Sequence, residues 1–136
     1  MDKLFAVSLF LVALVFLFSL ASFDFEEYVE SQISSEDPEA LGLNRDVLVW
    51  GELVPGETKS QKIVLQNFKD VSCSLSFSCM NWDPPGVEEF IFLSWSYDQE
   101  ILSPGEWIEV EITLNVSPLI SEITFFNMDI VFSSWS

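Results

Sequence analysis

The chain has 136 residues, of which 49% are hydrophobic and 15% aromatic, enough for one domain with a substantial core. Its 22 carboxylates against 5 basic residues leave a formal net charge of −17. This charge repels phosphate backbones, so nucleic acid is not an expected partner. Anionic lipid headgroups are repelled for the same reason, and any membrane association must come from inserted apolar sequence.

Such a sequence opens the chain, because residues 4–23 contain no charged side chain. As a helix rising ~1.5 Å per residue, this run spans roughly the 30 Å hydrocarbon core of a bilayer. Lys3 precedes it and Asp24 follows it, which favours a cytoplasmic N-terminus and an exported remainder. We therefore expect a hydrophobic helix over residues 1–23. It is either a signal peptide cleaved after Ala21 or an uncleaved signal anchor, which leaves the rest of the protein secreted or anchored on the extracellular side.

Residues 24–45 form a segment that is rich in acidic and small residues. Seven carboxylates lie between Asp24 and Glu39, and their repulsion favours an extended chain. Asp37-Pro38 and Gly42 interrupt any continuous helix. The composition predicts an acidic linker or stalk over residues 24–45.

From Asp46 onward the hydrophobic pattern has a period of two, which is typical of strands with one buried face. Val71 to Cys79 alternates apolar residues with serines, and Trp107 to Val116 alternates apolar with polar residues. Weaker runs of the same kind cover residues 47–50, 60–67, 90–97 and 123–132. Turns rich in proline and glycine separate these runs.

One turn-and-strand pattern occurs twice. Leu53-x-Pro55-Gly56-Glu57 with Ile63-x-Leu65 recurs 49 residues later as Leu102-x-Pro104-Gly105-Glu106 with Ile112-x-Leu114. A unit of this kind in each half suits two packed sheets in which each turn starts a long core strand. Six or seven short strands without helical patterns between them predict an all-β, immunoglobulin-like sandwich of two antiparallel sheets over residues 46–136, preceded by the hydrophobic helix.

A family resemblance is carried by four segments: VWGELVPGETKSQKIVLQN, NWDPP, LSWSYD and LSPGEWIEVEITLNVSP. They resemble the small immunoglobulin-like domains of archaeal secreted and surface proteins, which are similar to abnormal-spindle and major-sperm-protein sandwiches. The resemblance covers about Asp46 to Trp135, and Asn67-Phe68-Lys69-Asp70 departs from the turn usual after the second strand. It implies a sandwich in an extracellular setting that acts as a spacer, adhesion unit or appendage.

Two cysteines stand six positions apart. On a straight strand Cys73 and Cys79 are separated by ~20 Å, which is farther than a disulfide allows. Both are expected to point inward. They are predicted to be buried free thiols that act as small core residues.

Catalytic and metal-binding patterns are missing from the sequence. The chain has no histidine, which excludes histidine-based triads and metal sites. Asp98 and Glu100 are the best-placed acids for loose calcium binding, but no calcium-loop spacing with its central glycine occurs. All five glycines stand singly, so there is no phosphate loop. No enzyme activity, metal or cofactor is expected.

The five tryptophans divide into two groups. Trp50 and Trp95 are expected in the core. The other three are candidates for stacking on sugar rings, or for covering strand edges: Trp82, Trp107 and Trp135. A candidate glycosylation site is Asn115, in the sequon Asn115-Val116-Ser117, although Pro118 weakens it as an acceptor.

Three functional hypotheses follow. We favour a non-catalytic extracellular or cell-surface structural or interaction module, with a surface protein as candidate partner and the membrane as a second partner if residues 4–23 are uncleaved. One alternative is a filament subunit whose residues 22–45 add as a strand to a neighbouring copy. The other is a carbohydrate-binding module that uses the candidate tryptophans.

Overall fold

The computed structural model describes residues 29–120 and 125–136. The predicted hydrophobic helix over residues 1–23 lies outside the described residues. Within the described part, no helix is both long and apolar enough to cross a membrane.

Two four-stranded sheets pack face to face around one apolar core. The strands of the described ranges are β1 (Val29–Ser35), β2 (Leu41–Leu43), β3 (Val47–Gly51), β4 (Thr58–Asn67), β5 (Ser74–Asp83), β6 (Ile91–Trp95), β7 (Trp107–Val116) and β8 (Asn127–Trp135). One sheet has the order β3-β1-β8-β5 and the other β2-β4-β7-β6. The predicted all-β immunoglobulin-like sandwich is confirmed.

The prediction that both sheets are antiparallel is wrong at one pair. Strands β1 and β8 run parallel, from Ser31 opposite Met128 to Ser35 opposite Phe132. Both strands are flanked by other strands of their sheet. Each of the two strands therefore has a neighbouring strand on both sides, so its backbone groups are hydrogen-bonded although this pair is parallel.

The long core strands follow the period of two. In β7, Val110, Ile112 and Leu114 are buried, and the strand has the predicted bounds. In β8, Met128 and Ile130 are fully buried between the sheets. These alternating side chains form the two inner faces that hold the sandwich together.

The predicted acidic linker over residues 24–45 is wrong from Val29 onward. Strand β1 lies between β3 and β8, and β2 pairs with β4. Val29, Ser31 and Ile33 are buried, whereas the even positions of β1 are exposed. Because Glu30 sits on the exposed side, its charge stays solvated and does not oppose strand formation.

The structure also corrects two local predictions. Strand β5 begins at Ser74, and Val71 is exposed. Cys73 instead forms an isolated bridge with Leu102. The repeated turns do start long core strands, but these strands, β4 and β7, are neighbours in the same sheet.

The sandwich has two ends, which we name after residues that mark them. At the Val29 end, β1 begins opposite the end of β3, and β4 begins opposite Asn115 of β7. At the Trp135 end, Ser74 of β5 pairs with Trp135, and β7 begins opposite Gln66. Cys73, just before β5, forms its isolated bridge with Leu102, in the segment between β6 and β7.

Candidate functional site

Strand β5 forms a long, nearly uncharged sheet edge. It has ten residues, whereas the other edge strands have three (β2), five (β3) and five (β6). Asp83, its last residue, is the one ionisable carboxylate in the strand. An edge of this length and composition lacks the lysines and prolines that usually block edge-to-edge pairing.

Backbone hydrogen bonds show which groups face the edge. The Cys73 N–H donates to the Leu102 carbonyl at 3.0 Å, and the Leu75 N–H donates to the Tyr97 hydroxyl at 3.0 Å. Both bonds lie on the side of β5 opposite β8. Since alternate residues of a strand direct their backbone groups to the same side, the N–H and C=O groups of Phe77 and Cys79 also point there. Among the described strands, β5 pairs with β8 alone.

Strand β3, the opposite edge of the same sheet, is covered by side chains. The Val49 carbonyl accepts a hydrogen bond from the Gln61 side-chain amide. The Trp50 carbonyl accepts one from the Lys59 ammonium at 2.9 Å. The Gln61 contact occupies an acceptor that an added strand would need, and the Lys59 side chain covers the end of β3. The β5 edge has no comparable side-chain cover between Phe77 and Cys79 in the described part of the chain.

A pocket of about 380 Å³ adjoins the start of this edge. Its most exposed apolar walls are Ile101, 68% exposed, and Trp135, 59% exposed. The Tyr97 hydroxyl donates to the Glu100 carbonyl and accepts from Leu75. The lining residues are Ser74, Leu75, Ser76, Tyr97, Gln99, Ile101 and Trp135. We call this the Trp135 pocket.

One buried amide holds the loops behind the pocket. The side-chain nitrogen of Asn67 donates to the carbonyls of Val71 at 2.9 Å, Leu102 at 3.1 Å and Ser103 at 3.2 Å. Its side-chain oxygen accepts from the Lys69 N–H at 3.0 Å. Asn67 is fully buried, so these bonds replace the water that its amide gives up on folding.

Aromatic rings support the edge from the inside of the sandwich. Phe77 meets Trp95 edge to face, with ring centroids 4.8 Å apart. Trp95 also stacks at a tilt against Tyr97, at 5.0 Å. Phe77 and Trp95 are half-buried and pack on the core. Trp50 is fully buried as expected, and its indole N–H donates to Ser31 Oγ at 3.0 Å.

Both cysteines are free thiols. Cys73 is buried, whereas Cys79 is half-buried because it lies on the edge strand. Burial raises the pKa of Cys79 to about 11. Burial also raises the pKa of Cys73, an effect that the positive charge of Lys69 partly opposes. The edge strand thus carries a neutral thiol, which does not disturb its uncharged character.

The three candidate stacking tryptophans are not brought to one surface. Trp82 is half-buried against the core near the end of β5. Trp135 is opposite Ser74 at the start of β5, eight residues away, or roughly 26 Å along the strand. Trp107 is exposed at the Trp135 end, but it belongs to the other sheet. No flat platform of two or more indoles results from these positions.

The remaining candidates lie apart from the β5 edge. Asn115 is half-buried in β7, and its side-chain oxygen accepts from the Thr58 hydroxyl at 2.7 Å. Asp98 and Glu100 are exposed, and in sequence they alternate with residues that line the Trp135 pocket. Among residues 29–120 and 125–136, no three acidic or cysteine side chains are grouped closely enough to hold a metal ion.

Two residues of the site escaped sequence reasoning. Asn67 appears in the sequence as part of an atypical turn, with no sign that its amide is buried. Tyr97 is the last residue of a predicted strand, and nothing in its neighbours indicates that its hydroxyl reaches β5. The serine alternation of residues 71–79 did indicate a strand, but alternation alone does not identify a sheet edge.

No protein-family model matches the chain, and no curated protein matches it in sequence. Among solved structures, the chain is similar to the ASH / PapD-like domain of human CEP192 (PapD-like domain 7). The identity is 10%, the match covers 82% of this chain and 86% of that chain, and the TM-score is 0.35. The fold described above rests on the strands and registers of this chain itself.

Proposed function

We propose that this protein is a non-catalytic interaction module of the cell surface that binds an extended segment of a partner protein along the β5 edge. Residues 4–23 hold the module at the membrane, or are cleaved to release it. The observation that carries this proposal is the long, nearly uncharged edge next to the Trp135 pocket, where no described residue hydrogen-bonds to the backbone groups of Phe77 and Cys79 on the side away from β8.

The geometry suits recognition by strand addition. A peptide strand that pairs with β5 gains main-chain hydrogen bonds whatever its sequence, while a pocket beside the edge selects particular side chains. The Trp135 pocket offers Trp135, Ile101 and Tyr97 to a large apolar side chain. Binding through backbone and one apolar anchor needs no catalytic group, which agrees with a sequence that has no histidine.

Charge narrows the class of partner. Asp98 and Glu100 are exposed and alternate in sequence with residues that line the pocket, and the chain as a whole carries −17. A segment with lysine or arginine beside its apolar anchor is therefore attracted, and an acidic segment is repelled. We expect the partner segment to be extended and basic, with one large apolar residue.

The two alternatives receive less support. In the filament hypothesis, residues 22–45 add to a neighbouring copy, but residues 29–35 already form β1 within their own sheet, between β3 and β8. In the carbohydrate hypothesis, several indoles form a platform, but Trp82, Trp107 and Trp135 lie apart. Neither is favoured by a specific contact of the described residues.

The test uses the full-length chain in phosphatidylcholine nanodiscs and a displayed library of random linear peptides. We expect enriched peptides to combine a large apolar residue with neighbouring Lys or Arg. Cys79→Pro, which removes an N–H from the edge, should abolish their binding, whereas Cys79→Ala, which keeps that N–H, should not. Trp135→Ser should weaken binding about tenfold, whereas the exposed control Trp107→Ser should leave it unchanged.

A folded Cys79→Pro variant that binds the peptides as tightly as the parent contradicts strand addition. If that variant unfolds, N-methylated peptides supply the same test on the unaltered protein. Methylation at alternate peptide positions should abolish binding in one register and leave it intact in the other. Equal effects in both registers would show that the peptide backbone does not pair with β5.

A further inference from the structure

Three large apolar side chains are exposed together at the Val29 end. Leu119 is 78% exposed, Val54 58% and Phe125 42%. We call these three residues the apolar lip. Isolated exposed apolar residues are ordinary on protein surfaces, but a group of them at one end points to an interaction site.

The strand registers bring the lip residues to the same end. Val54 lies in the loop between β3 and β4, and the nearby Gly56 N–H donates to the Val116 carbonyl at 2.9 Å, where β7 ends. Leu119 follows three residues after that carbonyl. Phe125 precedes β8, whose first residues run parallel to the start of β1. The loops that carry the lip therefore surround the point where β1 begins.

The chain enters the described structure at this end. Val29 is the first described residue, and the apolar run of residues 4–23 ends six Cα steps before it. Six extended steps reach at most about 22 Å. If residues 4–23 span a bilayer, the Val29 end is tethered within that distance of the hydrocarbon core, and the Trp135 end has no such constraint.

Charge excludes an electrostatic contact with anionic lipid. The chain carries −17, and Lys59, the basic residue nearest the lip loops in sequence, is engaged. Its ammonium lies 3.4 Å from the Glu57 carboxylate and donates to the Trp50 carbonyl at 2.9 Å. A contact at this end must come from apolar insertion, which suits a zwitterionic interface.

We propose that the apolar lip is seated in the interface of a zwitterionic lipid bilayer, with Val54, Leu119 and Phe125 inserted among the lipids. The sandwich then stands on its Val29 end. Since β7 spans ten residues, or roughly 33 Å, the Trp135 pocket is held well above the membrane. This inference rests on the membrane-anchor part of the proposed function.

The experiment places a fluorescent reporter on each end of the full-length chain. In a Cys79→Ser background, Leu119→Cys carries a nitrobenzofurazan label in phosphatidylcholine vesicles that contain lipids spin-labelled near the headgroup. Ile101→Cys is the matched control, because Ile101 is also a largely exposed aliphatic residue and lines the Trp135 pocket. We expect loss of label fluorescence at position 119 and no loss at position 101. Replacing part of the phosphatidylcholine with phosphatidylglycerol should reduce the loss at 119.

Each other result overturns the inference in a recognisable way. Equal quenching at 119 and 101 shows that the Val29 end is not the end that sits on the membrane. No quenching at 119 shows that the Val29 end does not touch lipid. A label at 119 that is shielded from aqueous iodide yet not quenched by spin-labelled lipid shows that protein covers the lip. If alkaline carbonate releases the chain from the vesicles, residues 4–23 do not anchor it. Both the membrane anchor and the insertion of the lip are then rejected. If the chain stays on the vesicles but the label at 119 is not quenched, only the insertion of the lip is rejected.

Discussion

The two ends of the sandwich both expose large apolar side chains, yet they are built differently. At the Trp135 end, loops that line the pocket are fixed by the buried amide of Asn67. At the Val29 end, the lip residues Val54, Leu119 and Phe125 project from loops, and the Val54 N–H donates to the Glu57 carboxylate at 2.8 Å in an exposed bond. Directional hydrogen bonds hold a pocket in one shape, whereas apolar tips on loops suit a fluid partner that has no fixed shape.

This difference separates two kinds of recognition within one small domain. The Trp135 end and the β5 edge present defined geometry, which selects among peptide segments by shape and charge. The Val29 end presents apolar area, which is stabilised by any sufficiently apolar interface. We expect substitutions at the Trp135 end to affect stability and specificity together. Substitutions in the lip should affect lipid contact while leaving the fold intact.

The largest effect is expected from Asn67→Ala. The buried side-chain nitrogen shares two N–H groups among three carbonyls, and their loss leaves those carbonyls without that donor. We expect the free energy of unfolding to fall by about 3 kcal/mol, measured by urea denaturation. The pocket should also bind the selected peptides less tightly, because its loops are no longer held.

Asn115→Ala is the matched control for Asn67. Asn115 accepts one hydrogen bond, from Thr58, on the outer face of the sheet. Its replacement should cost less than about 1 kcal/mol. Equal costs for the two variants would show that the Asn67 network does not organise the Trp135 end.

A smaller effect is expected from the repeated turns, which occur once at each end. Gly56 has φ +81° and Gly105 has φ +77°, both in the left-handed region. Replacement of either by alanine should cost about 1 kcal/mol. A new Cβ at Gly56 has Pro118 Cβ at 3.8 Å, an ordinary contact, and one at Gly105 has nothing within 4 Å. Urea denaturation should therefore give the same cost for both variants. A larger cost at Gly56 would show that the loops of the Val29 end are more tightly held than their contacts indicate.

An effect confined to alkaline pH concerns the β5 edge. The pKa of Cys79 in the folded state is about 11, above the ordinary value of 9.0. Between these values the folded state keeps a proton that the unfolded state loses, so stability falls as the pH rises from 9.0 toward 11. Cys79→Ala should reduce this fall when both proteins are unfolded by urea at a series of pH values. The two proteins differ only at position 79, so a parallel pH dependence would mean that the Cys79 thiol is not desolvated.

Much of the fold was readable from local patterns. The alternation over Trp107 to Val116 predicted β7 with its observed bounds, and the alternation before Phe132 predicted the inner face of β8. These predictions succeed because side chains alternate between the two faces of a strand. Only one orientation of such a strand buries its apolar side chains in the core. The outward register of Trp107 was predicted on the same basis.

Local sequence patterns gave the wrong prediction for the acidic segment that forms strand β1. The acidic composition of residues 24–45 predicts a linker that includes residues 29–35, because the count of carboxylates hides the alternation of Val29, Ser31 and Ile33. Ser31 is polar but buried, since its hydroxyl accepts from Trp50 and donates to the sulfur of Met128. Such long-range partners are invisible in a local window of sequence.

The sequence by itself determined that the chain from Asp46 forms strands, which side of each long strand faces the core, and that no histidine chemistry is available. The tertiary structure decided which strand became an edge, that β1 and β8 run parallel, and that Asn67 and Tyr97 lie beside β5. The reason is physical. Alternation depends on neighbours two residues apart along the chain, whereas an edge, a strand direction and a buried amide depend on partners tens of residues away.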